Sequence, residues 1–306
     1  MNNRKWARMR ADWQLYLLLL LPLAYVLVFH YAPMPSVQIA FRKYTSRDGI
    51  WGSAWVGLKY FKQFFASYQC AQVISNTLIL SAGMILISFP IPIVFALMMN
   101  SFGAQRVKKV TQTIVTMPHF ISVVVLVGMM NQIFHSRVGA YGVLMYALTG
   151  AYPKNLFASP GNFRVMYIAS GIWQSFGWGS IIYLAALSGV SPDLHESAQI
   201  DGASRFQRVL HVDLPCILPT IIIMLILRMG SVMSIGFEKV YLMQNSLNLS
   251  ASEVISTYVY KVGLDASGST NFSYSTAIGL FNSVINLAMV TTVNAIAGRL
   301  GETSLW

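Results

Sequence analysis

The stretch from Ser191 to Pro219, SPDLHESAQIDGASRFQRVLHVDLPCILP, decides how the rest of the chain is read. It is polar, reads as helix, and stands between two apolar runs. Ser191 is placed to cap a helix whose first residue is Pro192, and Asp193 and Glu196 fall near the positive end of its dipole. Leu194, Ala198 and Ile200 sit among polar neighbours, as on a short surface helix. Asp201-Gly202 interrupts the pattern, and glycine permits a turn that a side chain obstructs. From Ala203 to Val212, Phe206, Val209 and Leu210 recur at i, i+3 and i+4, with Arg205 and Arg208 on other faces. Pro215 and Pro219 open the next apolar run. The expected shape is a helix-turn-helix lying across a membrane face and presenting a small knob.

Composition agrees with a membrane setting. The 306 residues are 55% hydrophobic and only 10% charged, whereas a soluble domain is about a quarter charged. The net charge of +11 invites a nucleic-acid reading, but the Lys and Arg are scattered between apolar runs. They read as topology signals and contacts to anionic lipid, with no nucleic acid expected. The two cysteines, Cys70 and Cys216, are expected near opposite membrane faces, without a disulfide or a metal site. His30, His119, His135, His195 and His211 lack ligand spacing. Neither a G-x-x-x-x-G-K-[ST] loop nor a G-x-G-x-x-G after a strand is present, so the chain is not expected to bind ATP.

Apolar runs predict an all-α polytopic protein with six transmembrane helices, at about 14–32, 76–99, 110–134, 165–190, 214–237 and 276–296. The basic stretch 1–13 precedes the first run. No small-residue cleavage site follows it, so an uncleaved span is expected. Residues 34–75 are aromatic and mixed in charge, as at headgroup depth, and Tyr60, Phe64 and Phe65 have the spacing of a short surface helix. Pro90 and Pro92 fall inside the second span, and Pro118 and His119 inside the third. Residues 136–163 and 238–275 read as polar loops, and 297–306 as a short tail. The inner and outer loops carry equal numbers of Lys and Arg, but the inner loops are shorter and so denser in positive charge. That density favours both termini on the cytoplasmic side.

The stretch around Glu196 resembles the EAA loop of ABC importer membrane subunits. Glu196-Ser197-Ala198, Gln199-Ile200, Asp201-Gly202-Ala203, Phe206, Leu214-Pro215 and Pro219 follow its order, with Ser197 in place of the first alanine. The resemblance implies a type I importer permease with the loop 191–213 on the cytoplasmic side, where its coupling helix docks in a cleft of an ATPase. Glu196, Ser197, Ala198, Asp201, Gly202, Ala203, Arg205 and Phe206 are then the coupling residues. A wider likeness covers essentially the whole chain. It is carried by His30-Tyr31, Gly52-Ser53, Trp55-Val56-Gly57-Leu58, Gly236-Phe237-Glu238-Lys239-Val240-Tyr241, Gln244-Asn245, Thr257-Tyr258-Val259-Tyr260, Gly279-Leu280-Phe281 and Gly301-Glu302-Thr303-Ser304-Leu305-Trp306. These resemble the LplB branch of the maltose-type carbohydrate permeases. That branch implies a bacterial cell membrane protein that imports oligosaccharides and performs no covalent chemistry. Its implied partners are a second homologous permease, two cytoplasmic ATPases that bind the ATP and Mg, and an extracellular solute-binding lipoprotein. The alternatives are an ABC permease for amino acids or another polar solute, an exporter, and a secondary transporter.

A sugar path needs flat apolar platforms, amides and occasional charges. Span four offers Trp173, Gln174, Phe176 and Trp178, and span three offers Asn131 and Gln132. Span six offers Asn282 and Asn286, one helical turn apart. The plainer roles are anchoring and packing for the tryptophans, and interhelical bonding for the asparagines. Arg228 lies midway along span five, where a charge costs roughly 3 kcal/mol on insertion scales. It is expected to face a cavity or a partner. Glu238 and Tyr241 follow as candidates for the outer mouth.

Overall fold

The computed structural model describes residues 12–264 and 270–299. The basic stretch before residue 12, part of the 238–275 loop tip and the tail Gly301–Trp306 therefore lie outside the described residues. Among the described residues the regular structure is helical apart from a ladder of two residues per strand, and contacts divide the chain into two units.

The first unit holds residues Met1–Phe65 and Val262–Leu280. Its helical run Trp13–Phe41 is apolar and long enough to cross a membrane, and its most apolar window buries nothing within the chain. Such a helix faces lipid or another chain. Arg42–Lys43 pairs antiparallel with Ala54–Trp55. Arg42 clamps this hairpin by donating from Nη1 to the carbonyls of Trp51 and Ser53, both at 2.9 Å, while Trp55 stacks on Phe41. The surface helix is present as Lys59–Ala66. It buries Tyr60 and Phe64 on one face and leaves Phe65 exposed. The Tyr44 N–H donates to Ser273 Oγ at 2.9 Å.

The second unit holds residues Ala66–Lys261 and Phe281–Trp306. Its axis is the helix Pro160–Ser188, of 29 residues and so about 43 Å long. The run Tyr68–Ser101 packs along it, together with parts of Gln105–Phe120, Leu214–Met229 and Phe237–Met243. Its inward side reads Phe163, Tyr167, Ser170, Gly171, Gly177, Ser180, Tyr183 and Leu187. A Cβ at Gly177 would overlap the Val115 carbonyl, so glycine is what lets the two backbones touch. Close packing of small residues is the main adhesive between helices in lipid, where apolar burial has no water to escape. Two apolar clusters flank this axis. Phe163 and Tyr167 join Leu80, Val127, Val240 and Val254 near its start, and Tyr183 and Leu187 join Ile93, Ala96 and Ile217 near its end.

Proline shapes the other helices in a repeated way. Wide, π-type turns occupy Leu27–Tyr31, Met84–Ser88 and Val209–Asp213. Each ends two residues before a proline: Pro33, Pro90 and Pro215. A proline ring crowds the carbonyl four residues back and offers it no N–H. In all three cases that carbonyl lies inside the widened turn, which moves it clear without breaking the helix.

Several expected boundaries differ from the structure. Among the described residues four helices are long and apolar enough to cross a membrane: Trp13–Phe41, Tyr68–Ser101, Arg205–Met229 and Phe272–Arg299. The expected third span is instead two helical pieces, Gln105–Phe120 and Val123–Ile133, bent by 96°; together they could make a fifth crossing. The break follows Pro118, and Ser122 restarts the helix by accepting the Val125 N–H at 3.3 Å. Pro160–Ser188 is long enough but less apolar, because Gln174 and its serines and glycines face protein. The expected fifth span stops as helix at Met229 rather than running to residue 237. The stretch 136–163 contains an apolar helix, Ala140–Thr149. Much of the 238–275 segment is core, not loop: Lys239, Val240, Met243, Ala251, Val254 and Ile255 are buried.

Candidate functional site

Two polar regions stand out in the second unit. The first is the segment 191–213. Its first helix is Pro192–Ile200, and Ser191 Oγ accepts the Asp193 N–H at 3.3 Å. Gly202 then takes φ +75°, with nothing within 4 Å of where a Cβ would stand. The Ala203 N–H returns to the Ala198 carbonyl at 2.9 Å and closes the turn. Ser204 and Gln207 cap the next helix reciprocally: the Ser204 N–H donates to Gln207 Oε1 at 2.7 Å and the Gln207 N–H to Ser204 Oγ at 3.3 Å. That box satisfies two helix-end donors at once. The helix Arg205–Arg208 continues through the wide turn into Leu214–Met229.

This segment presents its chemistry outward. Glu196, Ser197, Asp201, Gly202, Arg205 and Phe206 are exposed, with Ala198 and Ala203 half-buried. Ile200 is 87% exposed and Phe206 75%. Two large apolar side chains held in water at the tip of a rigid turn mark a surface made to be covered. Its inner side is tied down by Asp213, which is buried and receives His195 Nε2 at 3.2 Å and Asn100 Nδ2 at 3.3 Å. Sequence reasoning set His195 aside and did not single out Asp213 or Asn100. No local signal could have found them, because Asn100 and Asp213 are 113 residues apart.

The second region is the irregular stretch 230–236, between the helices Leu214–Met229 and Phe237–Met243. Non-helical backbone at membrane depth survives only where protein or a wet cavity satisfies it. Asn286 Oδ1 accepts the Met233 N–H at 2.9 Å, and Asn286 Nδ2 donates to Ser234 Oγ at 2.8 Å. Asn282 Nδ2 reaches the same Ser234 Oγ at 3.5 Å. Ser81 Oγ donates to the Val232 carbonyl. Gly230 lies against Val290, where a Cβ would come within 3.4 Å of the valine side chain. A cavity of about 110 Å³ opens beside the stretch, lined by Ser81, Tyr167, Arg228, Ser231, Ser234 and Gly236 among others. Three candidates separated in sequence, Arg228, Asn282 and Asn286, are thus gathered around one break.

Arg228 is exposed at this cavity. Among the described residues its guanidinium has neither an ion pair nor a hydrogen bond; the Tyr183 phenol is within its electrostatic reach. A second cation, Lys239, is buried behind Tyr167. Its Nζ donates to the Tyr167 carbonyl at 3.2 Å and lies 5.1 Å from the Tyr167 ring centre. Burial pushes the Lys239 ammonium down to about 8.

The remaining candidates are not drawn into this cluster. Gln174 Nε2 donates to the Ile121 carbonyl at 2.8 Å and so supplies a partner at the break in the third span. Trp178 stacks on His119, with ring centres 4.6 Å apart, and Phe176 packs edge-on to Phe95. Trp173 lines a different, apolar cavity of about 310 Å³ with Leu126, Met129, Met130 and Met166. Asn131, Gln132 and Glu238 are exposed. Tyr241 closes an aromatic trio with Phe237 and Tyr260, their ring centres 5.0–5.4 Å apart.

Sequence comparison bears on both regions directly. A family model described as "Binding-protein-dependent transport system inner membrane component" matches residues 88–302. The chain belongs to this family. Its members are transporter components, not enzymes. Protein LplB of Bacillus subtilis (strain 168) is 41% identical over 301 residues, covering 98% of this chain and 93% of that one. The polygalacturonan/rhamnogalacturonan transport system permease protein YteP, from the same organism, is 39% identical over 292 residues, covering 95% and 90%. A chain in the crystal structure of a bacterial alginate ABC transporter, in complex with alginate pentasaccharide-bound periplasmic protein, superposes with a TM-score of 0.88. It is 36% identical, and the match covers 99% of this chain and 100% of that one.

Proposed function

We propose that this binding-protein-dependent permease is one half of the membrane pathway of an ATP-driven oligosaccharide importer. The observation that carries the reading is the break at 230–236, with Arg228 on one side and Asn282 and Asn286 holding the other. Transporters place solute sites where helices are interrupted at membrane depth, because freed backbone and polar side chains there face a cavity and not lipid. Sugar recognition in the relatives supports the solute class: YteP is named for galacturonan transport and the alginate system for an oligosaccharide carried on a periplasmic protein.

The rest of the reading follows the chemistry of each region. Six crossings put 191–213 and both termini in the cytoplasm. The turn at Gly202 offers Glu196, Arg205 and Phe206 to the cleft of an ATPase, whose closure on ATP and Mg drives the spans between outward and inward openings. A second permease completes the pathway, two ATPases supply the motor, and a solute-binding lipoprotein delivers the sugar. The test is reconstitution of the five-subunit complex with the loaded binding protein in liposomes. ATP-dependent uptake of labelled oligosaccharide, absent when the binding protein is omitted, is the expected result. ATP hydrolysis stimulated by an amino-acid-loaded binding protein, with no sugar uptake, would overturn it.

A further inference from the structure

The charge balance around the break is unequal. Arg228 stands at a cavity whose other polar groups, from Ser81, Ser231, Ser234 and Tyr167, are neutral hydroxyls. Lys239 adds a second cation over the ring of Tyr167, which lines the same cavity, with a neutral carbonyl as its hydrogen-bond partner. Glu238, the acid closest in sequence, is exposed and pairs with neither among the described residues. A guanidinium at membrane depth costs roughly 3 kcal/mol or more, so it is kept where something answers its charge. In a low-dielectric surround, two cations and no carboxylate make a site of positive potential.

We infer that the cavity at Arg228 is a carboxylate subsite, and that the oligosaccharide this permease passes is built of uronic acids. The inference rests on reading the 230–236 break as the substrate path. The cavity, of about 110 Å³, gives a solute group access to the guanidinium. The ring stays outside, against Ser234 and the asparagines Asn282 and Asn286, and turns its carboxylate inward. There the planar fork of Arg228 meets both oxygens, a geometry that a sugar hydroxyl cannot match. Polygalacturonan and alginate, the polymers named for two relatives, are both chains of uronic acids.

The reconstituted complex separates the possibilities. Trigalacturonate and trimannuronate are each compared with their fully methyl-esterified forms, with the binding protein's affinity for every form measured first and each supplied at saturating load. The wild type is expected to take up one free acid at least about tenfold faster than its ester, since a site built around a charge rejects the analogue that lacks it. Arg228→Gln should bring that ratio close to one, and Arg228→Lys should hold it in between. A purely structural role would lower acid and ester alike and leave the ratio intact, which would overturn the subsite. So would a wild type indifferent to esterification, or loss of the second permease from purified Arg228→Gln complexes, which would assign the charge to the subunit seam. If Arg228→Gln does not fold, the wild-type ratio and its fall in Arg228→Lys still decide. Failure of the wild type to take up any of the four sugars, while a binding protein still stimulates ATP hydrolysis, would sink the oligosaccharide reading itself.

Discussion

The turn at 191–213 and the break at 230–236 both interrupt helices, and they do so by opposite means. In the turn the capping and turn-closing contacts are local. Ser191 caps its own helix, Gly202 supplies the left-handed residue, and Ser204 and Gln207 cap each other. In the break, short-range turns such as Ser231 N–H to the Arg228 carbonyl and Ser234 N–H to the Ser231 carbonyl are joined by ties from distant helices. The Met233 N–H is held by Asn286, the Val232 carbonyl by Ser81, and Gly230 leans on Val290. In the proposed importer, a self-contained knob would move as a rigid body and transmit a push, and a break held by side chains from several helices would change shape when those helices shift.

That contrast can be broken or sharpened by substitution. The largest effect is expected at the knob's outer face. Glu196→Lys puts a repulsive charge on an exposed contact without touching the turn, so the chain should assemble while uptake and ATPase stimulation fall more than about tenfold. Normal stimulation by purified complexes would remove Glu196 from the docking surface. Next is Asn286→Leu, which strips partners from the Met233 N–H and Ser234. Unsatisfied buried groups cost about 1–3 kcal/mol, so thermal unfolding in detergent should come earlier and uptake should fail. An unshifted unfolding curve would mean the break is not held from span six.

Asp213→Ala probes the long-range polar anchor of the knob. It leaves His195 and Asn100 without their shared acceptor, and should loosen the knob against its span. Chain stability should change by less than in Asn286→Leu, and ATPase stimulation should drop several-fold while ATP hydrolysis by the isolated motor subunits is untouched. Equal stimulation would show that the local caps alone keep the knob rigid. The smallest effect is expected for Gly202→Val. Nothing crowds the position, so its cost is conformational alone, of order 1–3 kcal/mol for a residue forced into that region. Gly202→Asn should cost less, because asparagine tolerates the left-handed conformation. Limited proteolysis of the loop ranks the two, and a reversed order would mean the turn is set by something other than φ.

By itself the sequence determined the membrane class, the helical content and the knob. Those depend on composition and on neighbours within about four residues, and Ser191, Gly202 and Phe206 carry their meaning wherever they are placed. It also marked Arg228 as costly in lipid and Asn282 and Asn286 as path candidates one helical turn apart, without saying that they meet. Only the tertiary structure decided that the helix carrying Arg228 ends at a break, that Asn282 and Asn286 meet at one serine, Ser234, and that Gln174 and Trp178 serve the bend at Ile121 and His119. It also decided that Val240, Met243, Ala251, Val254 and Ile255 are core and that Asp213 anchors His195.

 Such pairings join residues tens to hundreds of positions apart. Their energy comes from satisfying polar groups in a medium that offers no water, so the partner is chosen by whichever helix packs alongside, and local sequence carries no record of that choice.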